Sequence, residues 1–263
     1  MATVQQIFDL LSDFAPLERK MDFDNVGFLV GTKDTEVRKI IVSLDITDDV
    51  IAEAIEKNAQ LIVSHHPLFF SLKTVNDTEP TGRKITALLS HGISAICMHT
   101  NLDAADGGVN DALAKTLGIE NTTLIEVEGT DSRGIEYSCG RVGYLSREYT
   151  MDEFLRFAKE KLHSNGLRFH DAHRPVYKIA TVGGSGGSYL AEAIAQGCDT
   201  LLTADIKYDV FLSAKEAGIN LIDADHFCTE NTVVPVLENL LHEKFTNISV
   251  IVSERHCQTA KFL

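Results

Sequence analysis

Short apolar runs alternate with segments of helical periodicity along most of this chain. KIIVSL at 39–44, LIVS at 61–64 and ISAICM at 93–98 read as strands. DDVIAEAIEKN at 48–58 and GRKITALLSH at 82–91 lie between them and read as helices. The opening stretch, MATVQQIFDLLSDFAP, sets Ile7, Leu10, Leu11 and Phe14 on one side of an amphipathic helix. FDNVG (23–27) is expected to turn into a further strand, FLVG (28–31). Strand and helix in alternation predict an α/β fold with a largely parallel sheet.

The second half repeats the order. KIATV (178–182) reads as a strand, SYLAEAIAQG (188–197) as a helix, TLLTA (200–204) as a strand, SAKEAG (213–218) as a helix and INLIDAD (219–225) as a strand. AEAI occurs at 52–55 and again at 191–194. The repeat is weak in identity and good in order, so two similar α/β lobes are expected rather than a solenoid. EVEGTDSRG (126–134) is charged, contains two glycines and suits a linker. The last apolar run, NISVIVS (247–253), is assigned back to the first sheet. The expected domains are therefore 1–126 plus 245–263, and 127–244.

Composition narrows the function. Hydrophobic residues make up 44% and charged residues 24% of 263, the balance of a globular protein with material for a core. Lys plus Arg number 24 and Asp plus Glu 38, a formal net charge of −14 that disfavours wrapping nucleic acid. Five cysteines without a CxxC pair form neither a disulfide framework nor a zinc ribbon. The start of the chain lacks the basic residues and unbroken apolar stretch of a secretory signal, and no run is long enough to span a bilayer, so a cytoplasmic location is expected.

The candidate chemistry collects at strand ends, where open α/β sheets place ligands. His65 and His66 follow LIVS directly and precede Pro67. His99 follows ISAICM, with Asp103 four residues on, and His226 follows INLIDAD, with Glu230 four residues on. HxxxD and HxxxE are each common by chance, so the signal lies in the constellation. Imidazole and carboxylate suit zinc, iron, manganese or nickel without thiolate. These groups suffice for two divalent ions if one carboxylate bridges. Consecutive residues of a regular strand point to opposite faces, so a shared site requires the turn at Pro67 to swing both rings together. The remaining histidines at 91, 163, 170, 173, 242 and 256 read as structural or surface residues.

VGGSGGS (182–188) joins a strand to a helix, either as an anion nest or as a tight turn needing positive φ. It lacks the lysine of a P-loop. Asp205, Lys207 and Tyr208 in TADIKYD occupy the place that SHHPLFF holds in the first half, and would face substrate or solvent.

SHHP (64–67), HTNLDAADGGVND (99–111), DHFCTE (225–230) and FDNVGFLVG (23–31) together resemble the GTP cyclohydrolase I type 2 homolog family, also called NIF-three-like dinuclear metal-centre proteins. The resemblance runs from about residue 3 to about residue 254. It implies two α/β lobes with two metal ions in the cleft between them, and ring-shaped homohexamers. Position by position, it implies His65, His66, Asp103, His226 and Glu230 as metal ligands, and His99 as a proton shuttle or further ligand. It also implies a metal-dependent hydrolase acting on a small molecule such as a purine nucleotide. A dinuclear phosphoesterase or amidohydrolase, or a metal-binding scaffold without turnover, would use the same ligands.

Overall fold

The computed structural model describes residues 2–263, and Met1, the first residue of the expected opening helix, lies outside them. The chain packs as two compact units, residues 1–102 with 234–257 and residues 103–233 with 258–263.

In the first unit the sheet order is β15 (Ser249–Val252), β4 (Lys39–Ser43), β5 (Leu61–Ser64), β6 (Ser94–Cys97) and β2 (Gly27–Val30). The first four are parallel, with Ile41 opposite Ile62 and Val63 opposite Ile96, and β2 pairs antiparallel to β6 at the edge. Every residue of β5 and β6 is buried, as befits central strands covered on both faces. A short pair, β1 (Ala2–Thr3) with β3 (Glu36–Val37), ties down the amino-terminal segment.

Helix α1 (Val4–Phe14) starts at a capping box in which Thr3 Oγ1 accepts from Gln6 N and Gln6 Oε1 accepts from Thr3 N. It buries Val4, Ile7 and Leu11. Helix α2 (Asp48–Glu56) is capped by Thr47, with Asp48 and Asp49 complementing the dipole of its first turn. Helix α3 (Pro80–Ser90) begins on a proline, which gives up no hydrogen bond there. His91 Nδ1 meets the Ala87 carbonyl at its far end. Ile41, Val50, Ile51, Ala54, Ile62, Ile85 and Leu88 form the core beneath these helices.

The second unit holds a six-stranded sheet of order β11 (Arg168–His170), β14 (Asn220–Asp223), β13 (Thr200–Ala204), β12 (Val176–Ser185), β10 (Arg141–Tyr149) and β7 (Glu120–Leu124). Its centre, β12–β13–β14, is parallel, as the alternation in the second half predicts. β10 and β7 extend it antiparallel on one side and β11 on the other. A small hairpin, β8 (Gly129–Thr130) with β9 (Glu136–Tyr137), occupies much of the segment read as a linker. Helices α5 (Val109–Thr116), α6 (Met151–Lys161), α7 (Leu190–Ala195), α8 (Tyr208–Ala217) and α9 (His226–Glu230) complete this unit. α8 stops at Gly218, whose φ of 67° closes a left-handed cap. Phe154, Leu113, Val176, Ile179, Leu202 and Ile222 centre its core. Helix α10 (Val234–Lys244) returns to the first unit and packs on β4 and β15.

Candidate metal-binding residues

In the first unit, the turn after β5 answers the geometric question that two adjacent histidines raise. His65 N donates to the Ser43 carbonyl and His66 N to the Leu44 carbonyl, and Ser64 Oγ donates to the His66 carbonyl. The backbone leaves strand geometry at this point, and both rings come to one side with centroids 5.0 Å apart. His99, from the end of β6, brings its ring to 5.2 Å from His65 and 5.6 Å from His66. One nitrogen from each of His65, His66 and His99 lies within 4.8 Å of the others, a spacing able to hold a metal ion.

Each of these rings is oriented through Nδ1. His65 Nδ1 meets the Met98 carbonyl at 2.9 Å, His66 Nδ1 the Asp45 carboxylate at 2.7 Å and His99 Nδ1 the Asp24 carboxylate at 2.9 Å. An imidazole that donates from Nδ1 presents Nε2 as its ligating nitrogen, and such partners fix ring orientation at metal sites. Asp24 is itself held by Thr100, through both its amide and its hydroxyl. Burial works to raise the Asp24 carboxyl, but the hydrogen bonds and charge of His99 and Thr100 outweigh it and hold Asp24 well below the usual carboxylate range. Asn25 Nδ2 donates to the Phe69 carbonyl, joining the FDNVG turn to the loop that follows SHHP. That motif therefore orients His99 and steadies its neighbouring loop, beyond making a turn.

In the second unit, His226 and Glu230 occupy successive turns of α9, with His226 Nε2 at 3.0 Å from Glu230 Oε2. Asp103, at the end of α4 (Thr100–Asp103), places a carboxylate oxygen within 4.8 Å of one from Glu230. His226 Nδ1 meets Asp205 at 2.7 Å, the same arrangement that holds the other three rings. Burial disfavours the charged ring, yet hydrogen bonds and Coulombic attraction from Glu230 and Asp205 outweigh it and push His226 up to about 9. Two carboxylates thus favour a cation at this ring. α9 is capped by Asp225, whose side chain accepts from Cys228 N. Asp205 at φ 52° and Asp225 at φ 75° both take positive φ, and Asp225, with ψ 132°, lies outside the left-handed helical region.

The glycine run acts as a scaffold for this helix. Gly183 N donates to Asn110 Oδ1, Gly184 N to Thr229 Oγ1 and Gly186 N to Thr203 Oγ1. Three amides of the run are thus engaged within the protein, as a close strand-to-helix turn requires. Gly184, at φ 62°, has no room for a side chain, because an added Cβ would fall 2.1 Å from Glu230 Oε1.

The sequence-predicted histidines and carboxylates thus fall into a trio of rings in one unit and the set Asp103, His226 and Glu230 in the other. Sequence reasoning missed Asp45 and read Asp205 as facing substrate or solvent, whereas both orient histidines. Their signal was faint: each is an aspartate just past a strand end, Asp45 after β4 and Asp205 after β13. Tyr208 is exposed at the start of α8, and His163, His173 and His242 are exposed as read. All five cysteines are free thiols.

Open α/β sheets with histidine and carboxylate groups at their strand ends define an α/β protein with side chains able to hold a metal ion. The family model described as Duf34/NIF3 (NGG1p interacting factor 3) matches residues 2–258, and the chain belongs to that family. A relative from Clostridium acetobutylicum, called GTP cyclohydrolase 1 type 2 homolog, is 36% identical, with 98% of each chain covered. A relative of the same name from Clostridium perfringens is 35% identical, with 99% of each covered. Among solved structures, a Bacillus cereus protein related to NIF3 superposes with a TM-score of 0.93 at 23% identity, covering 100% of this chain and 99% of that one. A Staphylococcus aureus hypothetical protein gives 0.90 at 31% identity, with 99% of each covered. Among the described residues, no helix is long and apolar enough to cross a membrane.

Proposed function

We propose that the chain binds two divalent metal ions through His65, His66, Asp103, His226 and Glu230 and hydrolyses a purine nucleotide ring, acting in the cytoplasm as a homohexamer. The observation that carries this reading is the gathering of one nitrogen each from His65, His66 and His99 within 4.8 Å of one another, with each ring oriented through Nδ1. An Nδ1 partner alone does not mark a ligand, since His91 and His256 also meet a carbonyl there, whereas convergence of ring nitrogens from several histidines does. The donor set is imidazole and carboxylate, which fits zinc, iron, manganese or nickel. The printed name of the Clostridium relatives, GTP cyclohydrolase 1 type 2 homolog, supports the choice of substrate class.

When bound, divalent ions supply Lewis acidity and positive charge against a developing oxyanion. The protein's own groups do the rest. Asp45 and Asp205 keep His66 and His226 in one tautomer and one orientation. Asp24 holds the Nδ1–H of His99, leaving Nε2 to take up a proton from water and return it to the leaving nitrogen. Gly184 leaves the space that the Glu230 carboxylate occupies.

The test has two stages. Metal content, measured by mass spectrometry, is expected to fall in His66→Ala and Glu230→Ala relative to wild type, and unchanged content in both refutes the ligand set. Metal-loaded wild type is then incubated with GTP, and formate with a ring-opened purine is expected. Absence of both with every one of the four metals, beside an active control enzyme, refutes the hydrolase.

A further inference from the structure

Two phenylalanines of the first unit stand out because water-exposed aromatic rings are costly and these two touch each other. Phe23 is 65% exposed and Phe70 55% exposed. Their centroids lie 6.1 Å apart at an interplanar angle of 47°. Phe70 in turn meets the His99 ring edge-on at 5.8 Å. Phe23, Phe70, His99 and the pair His65–His66 thus form one continuous run of rings, apolar at one end and imidazole at the other.

The two phenylalanines are held there by polar contacts that neither side chain makes itself. Phe23 precedes Asp24, which is tied to His99 and Thr100. Phe70 follows Phe69, whose carbonyl accepts from Asn25 Nδ2. The contacts of two adjacent residues, Asp24 to His99 and Asn25 to the Phe69 carbonyl, therefore set both rings beside His99. A core role is excluded by exposure, and a loop with no ligand to meet gains nothing by presenting two aromatic faces to water.

The geometry points to Phe23 and Phe70 as the surface on which the planar heteroaromatic ring of the substrate stacks, with His99 at its edge. This deepens the purine-nucleotide reading above and rests on it for the identity of the ligand. Every nucleobase has a π-face, and stacking on an aromatic side chain favours rings of that kind over sugar phosphates or amides. Specificity for the base then comes from unit one's two loops, while phosphate groups contribute no discrimination at this surface.

The chain has no tryptophan, so Phe23→Trp introduces a single indole reporter. Full-length Phe23→Trp protein, metal-loaded and metal-free, is titrated with GTP, ATP, guanosine and inorganic tripolyphosphate while indole emission is followed. Saturable quenching by the three purines and none by tripolyphosphate is expected. Adding Phe70→Leu is expected to weaken the purine response about tenfold. Calorimetry on the tryptophan-free pair compares wild type with Phe23→Leu/Phe70→Leu, where the same loss of about tenfold is expected for guanosine. Failure of every purine to quench, or equal guanosine affinity in wild type and the double leucine variant, overturns the stacking surface. Metal content is measured on the same samples and is expected to be unchanged, so a failure of stacking is distinguished from a failure of the metal site. Quenching without formate release refutes the hydrolase while supporting the surface.

Discussion

Substituting alanine for Gly184 tests the coupling between backbone conformation and the proposed ligand set. Gly184 sits at φ 62°, and an added Cβ would lie 2.1 Å from Glu230 Oε1, 3.0 Å from Glu230 Cδ and 3.3 Å from His226 Cε1. The left-handed conformation alone costs an L-residue about 1–2 kcal/mol. Restoring ordinary contact requires the Glu230 carboxylate to retreat by about 1.4 Å, given contact distances near 3.5 Å. Functional geometry tolerates about 0.5 Å of displacement, so a metal affinity loss of roughly 10–100-fold is expected. Gly197 provides the control: its φ is 71° with nothing within 4 Å of an added Cβ, so Gly197→Ala carries the strain without the clash. Both variants should melt about 2–4 °C lower per kcal/mol lost, but only Gly184→Ala should lose metal after dialysis against a weak chelator. Wild-type metal retention by Gly184→Ala, or equal loss by Gly197→Ala, would refute the reasoning.

Asp45→Ala and Asp205→Ala, which remove the Nδ1 partners of His66 and His226, should each weaken metal binding roughly 10–100-fold with little change in melting temperature, read by competition with a chromogenic chelator. Glu53 is buried, which alone would raise its carboxyl, but Lys57, Ser253 and the Glu254 amide outweigh burial and bring it down to about 2 from 4.5. A depressed folded-state value means that its stabilisation is present above about pH 4.5 and lost as pH falls towards 2, so Glu53→Gln should remove about 3 kcal/mol at pH 6 and progressively less below pH 4, measured by urea unfolding. Phe154→Ala should cost about 3–5 kcal/mol by the same measurement, because its ring is fully buried at the centre of the second core.

The elements most legible in the sequence were the parallel strands, because burial on both faces writes them as unbroken apolar runs such as LIVS and TLLTA. The antiparallel additions left a weaker trace. β10 has one largely exposed half and carries Arg147 and Glu148 within it, so no apolar run announces it. β7, which lies before the expected linker at 126–134, pairs with β10 through long-range register that local pattern does not encode. The histidines were readable because each follows a strand directly, and their convergence in the first unit is set by the turn at Ser64–His66. Their orienting aspartates were not, since Asp45 and Asp24 reach His66 and His99 across 21 and 75 residues of sequence.

The pairing of β15 with β4 has a consequence for how the protein is made. Ser249 lies opposite Lys39, so the outer edge of β4 is covered by a strand synthesised only after all of residues 103–233. While the ribosome is translating that stretch, Lys39–Ser43 presents its backbone hydrogen-bonding groups to any strand that passes. Long-range pairing of this kind is slow and exposes intermediates to self-association. The Glu53–Ser253 contact, formed as the chain leaves β15, then acts as a latch that can close only after β15 has been made. The nascent chain therefore depends on protection of one specific edge until β15 arrives, and a chaperone would have its largest effect there.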